Sequence, residues 1–498
     1  MTFFNFIKLK LFPESCLAFG TVALCFFLSG CGKPTTEFWP QSVNPDVPWN
    51  DPLAPVQWYL HNTGQTSENG IAGEAGEAGA DIGASQPLPI PSGEVTLALL
   101  DSGIDFNHPD LDIQRLALNL GESGQAADGS DRATNGIDDD GNGYADDSIG
   151  WNFADNTNDT RDTLGHGTHL AGLLIAKPNN RIGIATPWQG IRVLPVSIFS
   201  SRRPSPPLET IAGAIRYAVD RGARVISASF GTPSDSPVLS EALRYAESHD
   251  VLVVSAVGNF RKNLDIEPSY PASYHFDHQI AVGATDRRDL PTLFTNFGSD
   301  VDIFAPGEEI ISTALGGGYK ALSGTSQACP LVAASAAMAR ALLPEKSAAD
   351  IKRMILRSAD GKSALLPFTS NPMRLNVGKL LRNEEGLRIE HHDFPSWESE
   401  SAILESEHPY RSNLRKEWNV SAPAGAKRFR IFFSQFETQS TDFIEIKSPT
   451  GRVVSRISGT LPAFWSPVIE GASATITFVT DTFVSAWGWR IARVQFEQ

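Results

Sequence analysis

Cysteine is almost missing from the body of this 498-residue chain: Cys16, Cys25 and Cys31 fall within the first 31 residues, and Cys329 alone lies beyond them. No intrachain disulfide framework can form there, so stability outside a reducing compartment has to come from large cores or bound ions. Positive charge is also in deficit. With 41 Lys and Arg against 57 Asp and Glu, the formal charge is -16, which argues against nucleic acid or anionic lipid headgroups as electrostatic partners. The apolar run from Cys16 to Gly30 falls short of the roughly 20 residues that a spanning helix needs. What remains is of ordinary globular composition, 41% hydrophobic and 20% charged, and long enough for two folded domains with linkers.

Residues 1–31 have the shape of an export signal, with Lys8 and Lys10 ahead of the apolar stretch and Leu28-Ser29-Gly30-Cys31 at its end. That tetrapeptide resembles the lipobox of bacterial lipoproteins. The resemblance implies that Cys31 is diacylated, becomes the mature N-terminus and anchors the protein to a membrane of the cell envelope. An uncleaved anchor is the other reading, and both export the chain. Residues 32–56, rich in proline and polar residues, read as a tether.

Residues 57–382 alternate short apolar runs with helical patterns, the signature of a mostly parallel sheet flanked by helices. Val95–Leu100, Val193–Ile198, Val225–Ser229, Val251–Val257 and Ile280–Ala284 read as buried strands, and Leu208–Arg221 and Ser240–Ser248 as helices. Residues 383–407 are charged and read as a linker. Residues 408–498 alternate apolar and polar positions between turns, as in Arg428–Phe433 and Ala474–Val479, which predicts a small all-β sandwich.

Three segments of the first domain carry chemistry: LALLDSGIDFNHPDL around Asp101, GHGTHLAG around His166, and LSGTSQACPLVAA around Ser326. A carboxylate ending a buried strand needs hydrogen bonds, and an imidazole N–H supplies one; a strand-end Asp alone is more often a turn former. Between glycines, His166 can project as a base of near-neutral pKa, whereas no third ligand at zinc spacing supports a metal role for His166 and His169. Ser326 opens a small-residue helix, so orphan backbone N–H groups lie beside it; a lone serine at such a junction is more often an N-cap. Asn259, after a buried strand, can donate its amide to an oxyanion alongside the Ser326 N–H.

Asp, His and Ser in this order, 65 and then 160 residues apart, within DSGID, GHGTHLAG and GTSQACP, resemble the subtilase family, over about Gln57 to Leu381. The order differs from that of chymotrypsin-like and α/β-hydrolase triads. The resemblance implies a serine endopeptidase with protein or peptide substrates and no organic cofactor. It implies that Ser229, Phe230 and Gly231 bind substrate backbone as an added strand and line the pocket for the residue before the cut, with Ala256, Val257 and Gly258 as the other wall. Val257 stands where many relatives have Ala, and a smaller pocket is the expectation. Between Cys31 and Gln57 there is no room for the folded propeptide of many subtilases, so maturation without one, or another mode of inhibition, is expected. The rival reading is a catalytically inactive surface-binding or adhesion lipoprotein on the same scaffold.

In Asn135–Asp147 (NGIDDDGNGYADD), oxygen ligands alternate with glycine turns at Asp138, Asp140, Asn142, the Tyr144 carbonyl, and Asp146 or Asp147, which suits Ca2+. This resembles EF-hand-like calcium loops of some subtilases, and Asp110 matches a calcium-binding position in many. Residues 408–498 resemble a CUB domain without its cysteines. That resemblance implies a protein or glycan ligand, and calcium held by Glu437, Asp442 and Asp481; solvated turn carboxylates are the bland alternative.

Overall fold

The computed structural model describes residues 47–66, 75–389, 394, 396–483 and 485–498. The export signal, Cys31 and residues 32–46 of the tether lie outside them. Among the described residues no helix is long and apolar enough to cross a membrane.

The first domain is built on β1 (Val95–Asp101), β2 (Trp151–Asn152), β3 (Ile191–Ser197), β4 (Val225–Ala228), β5 (Leu252–Ala256), β6 (Gln279–Thr285), β7 (Ile303–Pro306), the hairpin β8 (Ile310–Ala314) and β9 (Gly318–Leu322), and the short β10 (Asp360–Gly361) and β11 (Met373–Arg374). Apart from the hairpin these form one sheet in the order β10-β11-β7-β6-β5-β4-β1-β3-β2. Every pair is parallel except β10 with β11. Runs such as VTLALL and VLVVSA lack alternation because helices cover both faces of the sheet. On one face lie α1 (His166–Ile175) and α4 (Thr325–Leu342), within the larger core; on the other lie α2 (Leu208–Asp220) and α3 (Pro237–Ser248). α5 (Ala348–Ser358) and α6 (Val377–Leu381) pack behind α4. α4 is buried nearly all round, and its many alanines let it lie directly against β4 to β7. α3 starts three residues before the predicted Ser240, because the Ser236 hydroxyl accepts from Leu239 N and Pro237 occupies the first turn.

Two boundaries differ from expectation. Residues 47–56 are part of the first domain rather than tether: Asp51 accepts from Asn179 N and Asn180 N at 2.7 and 2.9 Å, and Leu53 is buried in the core. β12 (Glu398–Glu405), placed by its charge in the linker, pairs with the last strand and so belongs to the second domain.

That domain is the expected all-β sandwich. One sheet holds β12, β14 (Arg428–Glu437), β21 (Gly488–Glu497) and the short β17 (Thr460–Leu461), β18 (Phe464–Trp465) and β19 (Ile469–Glu470). The other holds β13 (Arg415–Ser421), β15 (Phe443–Lys447), β16 (Val453–Ser458) and β20 (Ser473–Val479). Inward positions such as Phe429, Ile431, Phe433, Ile476 and Trp489 fill the space between the sheets. Phe297 and Phe368 of the first domain belong to this same apolar cluster, so the sandwich is docked rather than tethered.

Candidate active site

β1, α1, β5 and α4 bring four distant side chains to the carboxyl edge of the sheet, where open α/β folds place their sites. Asp101 ends β1, fully buried. Its carboxylate oxygens lie 2.8 and 2.9 Å from Nδ1 of His166, the first residue of α1, and it also accepts from Ser102 N at 2.8 Å. This proximity depends on glycine. A Cβ on Gly167 would stand 2.2 Å from Gly103 O, so any side chain there would push α1 off the end of β1. The Ser102 hydroxyl accepts from Gly167 N at 2.8 Å and completes the joint. Burial alone would hold the His166 pKa down; the charge and hydrogen bond of Asp101 outweigh it, Asp162 adds to them, and the pKa lies above the ordinary 6.5.

His169, one turn on, is buried with Nε2 between the carbonyls of Ile310 and Lys320 at 3.1 and 3.0 Å, and burial drives its pKa down to about 3. It is a neutral structural histidine. Cys329 is likewise inert: it is buried against Val254 O, and burial raises the thiol pKa to about 11.

Ser326 lies in the first turn of α4, which packs against α1. Its hydroxyl faces Ser229 O at 3.4 Å, a long and weak bond, while the Ser229 hydroxyl donates to Ser326 O at 3.1 Å. Asn259 follows β5. Its Oδ1 accepts from both Thr325 N and Thr325 Oγ1, at 2.8 and 2.9 Å, which turns Nδ2 toward Ser326. The missing side chain of Gly324 marks where the donors converge. A Cβ there would stand 3.3 Å from Asn259 Nδ2 and 3.6 Å from Ser326 N. An acid-braced imidazole, a serine hydroxyl and two converging N–H donors are the parts needed for nucleophilic acyl transfer.

Beside Ser326 opens a cavity of about 440 Å³ lined by Ser229, Phe230, Gly231, Ala256, Gly258 and Asn259, with Ser269 and Asn296 among its other walls. Cβ atoms on Gly231 and Gly258 would meet Ser269 Oγ at 2.7 Å and Asn296 Nδ2 at 2.6 Å. Val257 corrects the sequence expectation. Fully buried, it packs with Leu264, Ala272 and Phe304, and it does not narrow the cavity.

Asp162, Asn296 and Thr325 were not singled out from sequence. Asp162 accepts from Leu164 N, Gly165 N, Thr168 N and Thr168 Oγ1, tying the turn before α1 to its first residues. No capping signal in the sequence marks it, because the N-cap position of α1 is Gly165. Asn296 shows no such signal, because its partners lie more than 30 residues away.

In the acidic loop, carboxylate oxygens of Asp138, Asp140 and Glu122 lie within 4.8 Å of one another. Hard oxygen donors so gathered fit Ca2+. Buried Glu122, also missed, accepts from the backbone N–H of Asp139, Asp140 and Asp146. Asn142 donates its amide to Asp140 at 3.3 Å, and Asp146 accepts from Gly136 N. Asp147 is a correction: it is buried, paired with Arg221 at 2.8 Å and bonded to Tyr217 at 2.6 Å, so its charge is already neutralised. The Tyr144 ring packs on Trp151, Phe153 and Tyr217.

Asp110 accepts from Asn180 Nδ2, Ile184 N and the Tyr319 hydroxyl. Burial raises its pKa to about 6, helped by the charge of Asp51. It joins no three-acid group among the described residues. The sandwich acids also depart from expectation. Asp442 accepts from Tyr410 and Asp481 N, Asp481 from Thr441 and Phe483 N, and with Glu437 they make no three-acid cluster.

A model of the subtilase family, peptidase family S8, matches residues 92–384. The thermophilic serine proteinase of Bacillus sp. (strain AK1) is 38% identical over 242 residues, 49% of this chain and 51% of that protein. Thermitase of Thermoactinomyces vulgaris is 34% identical over 280 residues, 56% of this chain and 86% of its own length. A crystal structure of a cold-adapted subtilisin-like serine proteinase aligns over 58% of this chain and 91% of that one, at 24% identity and a TM-score of 0.44. The chain spans about half the length of the first of these relatives. Since the family match covers more than half of its residues, this chain belongs to the subtilase family.

Proposed function

We propose that the protein is a serine endopeptidase that cleaves peptide bonds through an acyl-enzyme on Ser326. The observation that carries this reading is the pairing of Asp101 with His166 Nδ1 at the start of α1, together with a weakly held serine hydroxyl in the first turn of α4, the helix that packs on α1. Asp101 keeps the proton on Nδ1 and leaves Nε2 as the base. Substrate backbone adds as a strand along Ser229–Gly231, with the side chain before the cut in the adjoining cavity, whose other wall includes Ala256 and Gly258. The Ser326 hydroxyl turns from Ser229 O and gives its proton to His166 Nε2 as its oxygen attacks the carbonyl carbon. The carbonyl oxygen, now anionic, accepts from Ser326 N–H and Asn259 Nδ2. His166 then hands the proton to the leaving amine, and water repeats the cycle on the ester. Incubation with unfolded casein tests the reading, together with labelling by a serine-directed fluorophosphonate. Hydrolysis and labelling that vanish in Ser326→Ala support it; a folded protein that does neither is the adhesion lipoprotein of the rival reading.

Export and membrane attachment through a diacylated Cys31 belong to this proposal on the strength of the lipobox alone, and metabolic labelling with a fatty-acid analogue, lost in Cys31→Ser, tests them. Structural calcium, common in subtilases, would be held by Asp138, Asp140 and Glu122. A protein or glycan ligand for the sandwich, read as CUB-like, rests on the sequence resemblance.

A further inference from the structure

The loop that carries Asn259 is tied down from behind. Asn296 Oδ1 accepts from Phe260 N and Lys262 N, both at 3.0 Å, and its Nδ2 donates to Val257 O at 2.8 Å. Arg261, two residues past Asn259, has a left-handed backbone (φ 55) and donates its N–H to Phe294 O at 2.8 Å. Its side chain runs inward rather than to solvent, and only 4% of it is exposed. Nη1 donates to Thr292 O at 2.9 Å, but Nε and Nη2 are buried without a hydrogen-bond partner among the described residues. Burial lowers its pKa to about 9, and no ion pair to an acid holds it among the described residues.

A buried cation so poorly supplied with acceptors is costly unless something else holds it. Here two ring faces do: the guanidinium lies 4.4 Å from the Phe368 centroid and 5.4 Å from that of Phe297. Both rings belong to the apolar cluster of the C-terminal sandwich. Gly459, in the turn between β16 and β17, closes the pocket from that side. A Cβ on it would touch Arg261 Cγ at 3.5 Å, Arg261 O at 3.6 Å and Phe297 at 3.7 Å. The turn itself is pinned by reciprocal bonds between Gly459 and Thr438 at 3.0 Å. Gly459 is thus the sandwich's own contact with Arg261, while the two rings that face the guanidinium are first-domain residues packed into the sandwich core.

We propose that Arg261 is a positioning residue, through which the docked C-terminal sandwich holds the Asn259 amide in register with the Ser326 N–H. The proposal rests on the peptidase reading above. It makes the sandwich a support of the transition-state site, in addition to any ligand it binds.

The test is a double-mutant cycle in the full chain, read as kcat and KM on a chromogenic peptide. Arg261→Met is expected to lower kcat about tenfold to a hundredfold, the size of a small misplacement of a reacting group, with KM nearly unchanged. In an Asn259→Ala background the same substitution should cost almost nothing, because the donor it positions is gone. Arg261→Lys should restore part of the loss. Phe368→Leu, a gentler change that removes one ring face, should give a smaller loss that also disappears in Asn259→Ala; it serves where Arg261→Met folds poorly. Gly459→Asn, a side chain that tolerates the left-handed φ of 83 in this turn and whose Cβ would meet Arg261 Cγ at 3.5 Å, should lower kcat in the same non-additive way. Equal losses with and without Asn259, a loss confined to KM, or a Gly459→Asn protein of unchanged kcat would each overturn the proposal. A wild-type chain without hydrolysis or fluorophosphonate labelling would instead overturn the peptidase reading on which it stands.

Discussion

Gly324→Ala adds one methyl group where the two oxyanion donors converge. The backbone tolerates it, since φ 168 and ψ 157 are extended values open to any residue. The new carbon would lie 3.3 Å from Asn259 Nδ2, 3.6 Å from Ser326 N and 2.7 Å from Gln327 Oε1; the last contact is relieved by a shift of the Gln327 side chain. An oxyanion bonded to both donors must sit about 2.7–3.1 Å from each, so methyl and oxyanion compete for one space. The expected result is a kcat lower by about 10²–10³, or ~2.7–4 kcal/mol of transition-state stabilisation, a magnitude that belongs to one subtilisin donor and is carried over. KM should change little, because the planar ground-state carbonyl does not reach the donors. Steady-state kinetics on a chromogenic peptide, with thermal melting as a control on folding, measure both. A folded Gly324→Ala enzyme with wild-type kcat would refute this location of the oxyanion site.

Because Asp101 holds the His166 pKa above 6.5, the acid limb of kcat/KM should have its midpoint above that value. Asp101→Asn should move it down and lower kcat about 10⁴-fold; a pH–rate profile whose midpoint ignores the substitution would contradict the pairing. The same raised pKa contributes stability that is fully present below 6.5 and is lost as pH rises through the folded value. Chelation with EDTA should lower the melting temperature and calcium restore it, with about 2.7 kcal/mol gained at a calcium concentration 100 times Kd. That response should be absent in Asp138→Asn/Asp140→Asn, and a wild-type melt indifferent to calcium would count against a cation there. Buried Cys329, with its thiol pushed up to about 11, should resist iodoacetamide at pH 8 in the folded enzyme. Rapid labelling of the native protein would show that the thiol is accessible.

Much of the first domain was legible because its signals are local. Apolar runs bounded by turns marked β1, β4, β5 and β6 to within a residue or two, and Asp101, His166, Asn259 and Ser326 each sit beside a strand end or helix start that can be read from neighbours. Strand parity also places Val257 away from the cavity. Past the end of a strand that alternates sides, Ala256 and Gly258 face the cavity and the residue between them faces the core. Charge misled at β12, whose solvent-facing Glu and Ser positions read as linker although Leu404 packs on the sandwich core.

What stayed hidden depends on pairs far apart in the chain. Asp147 looks like any other acid of its loop until Arg221, 74 residues later, neutralises it, and Glu122 looks like a surface acid until three backbone N–H groups close around it. In both cases residue type and spacing say that an oxygen is present but not whose charge it faces. That is a property of the folded neighbourhood. Arg261 shows the point most sharply. A lone arginine two residues after an oxyanion donor reads as a solvated loop charge, the commonest fate of arginine. Its burial follows only once Phe368, more than 100 residues later, and Gly459, nearly 200 later, arrive from either side of the domain boundary. The domain boundary drawn from composition therefore cuts through a joint on which the oxyanion loop rests.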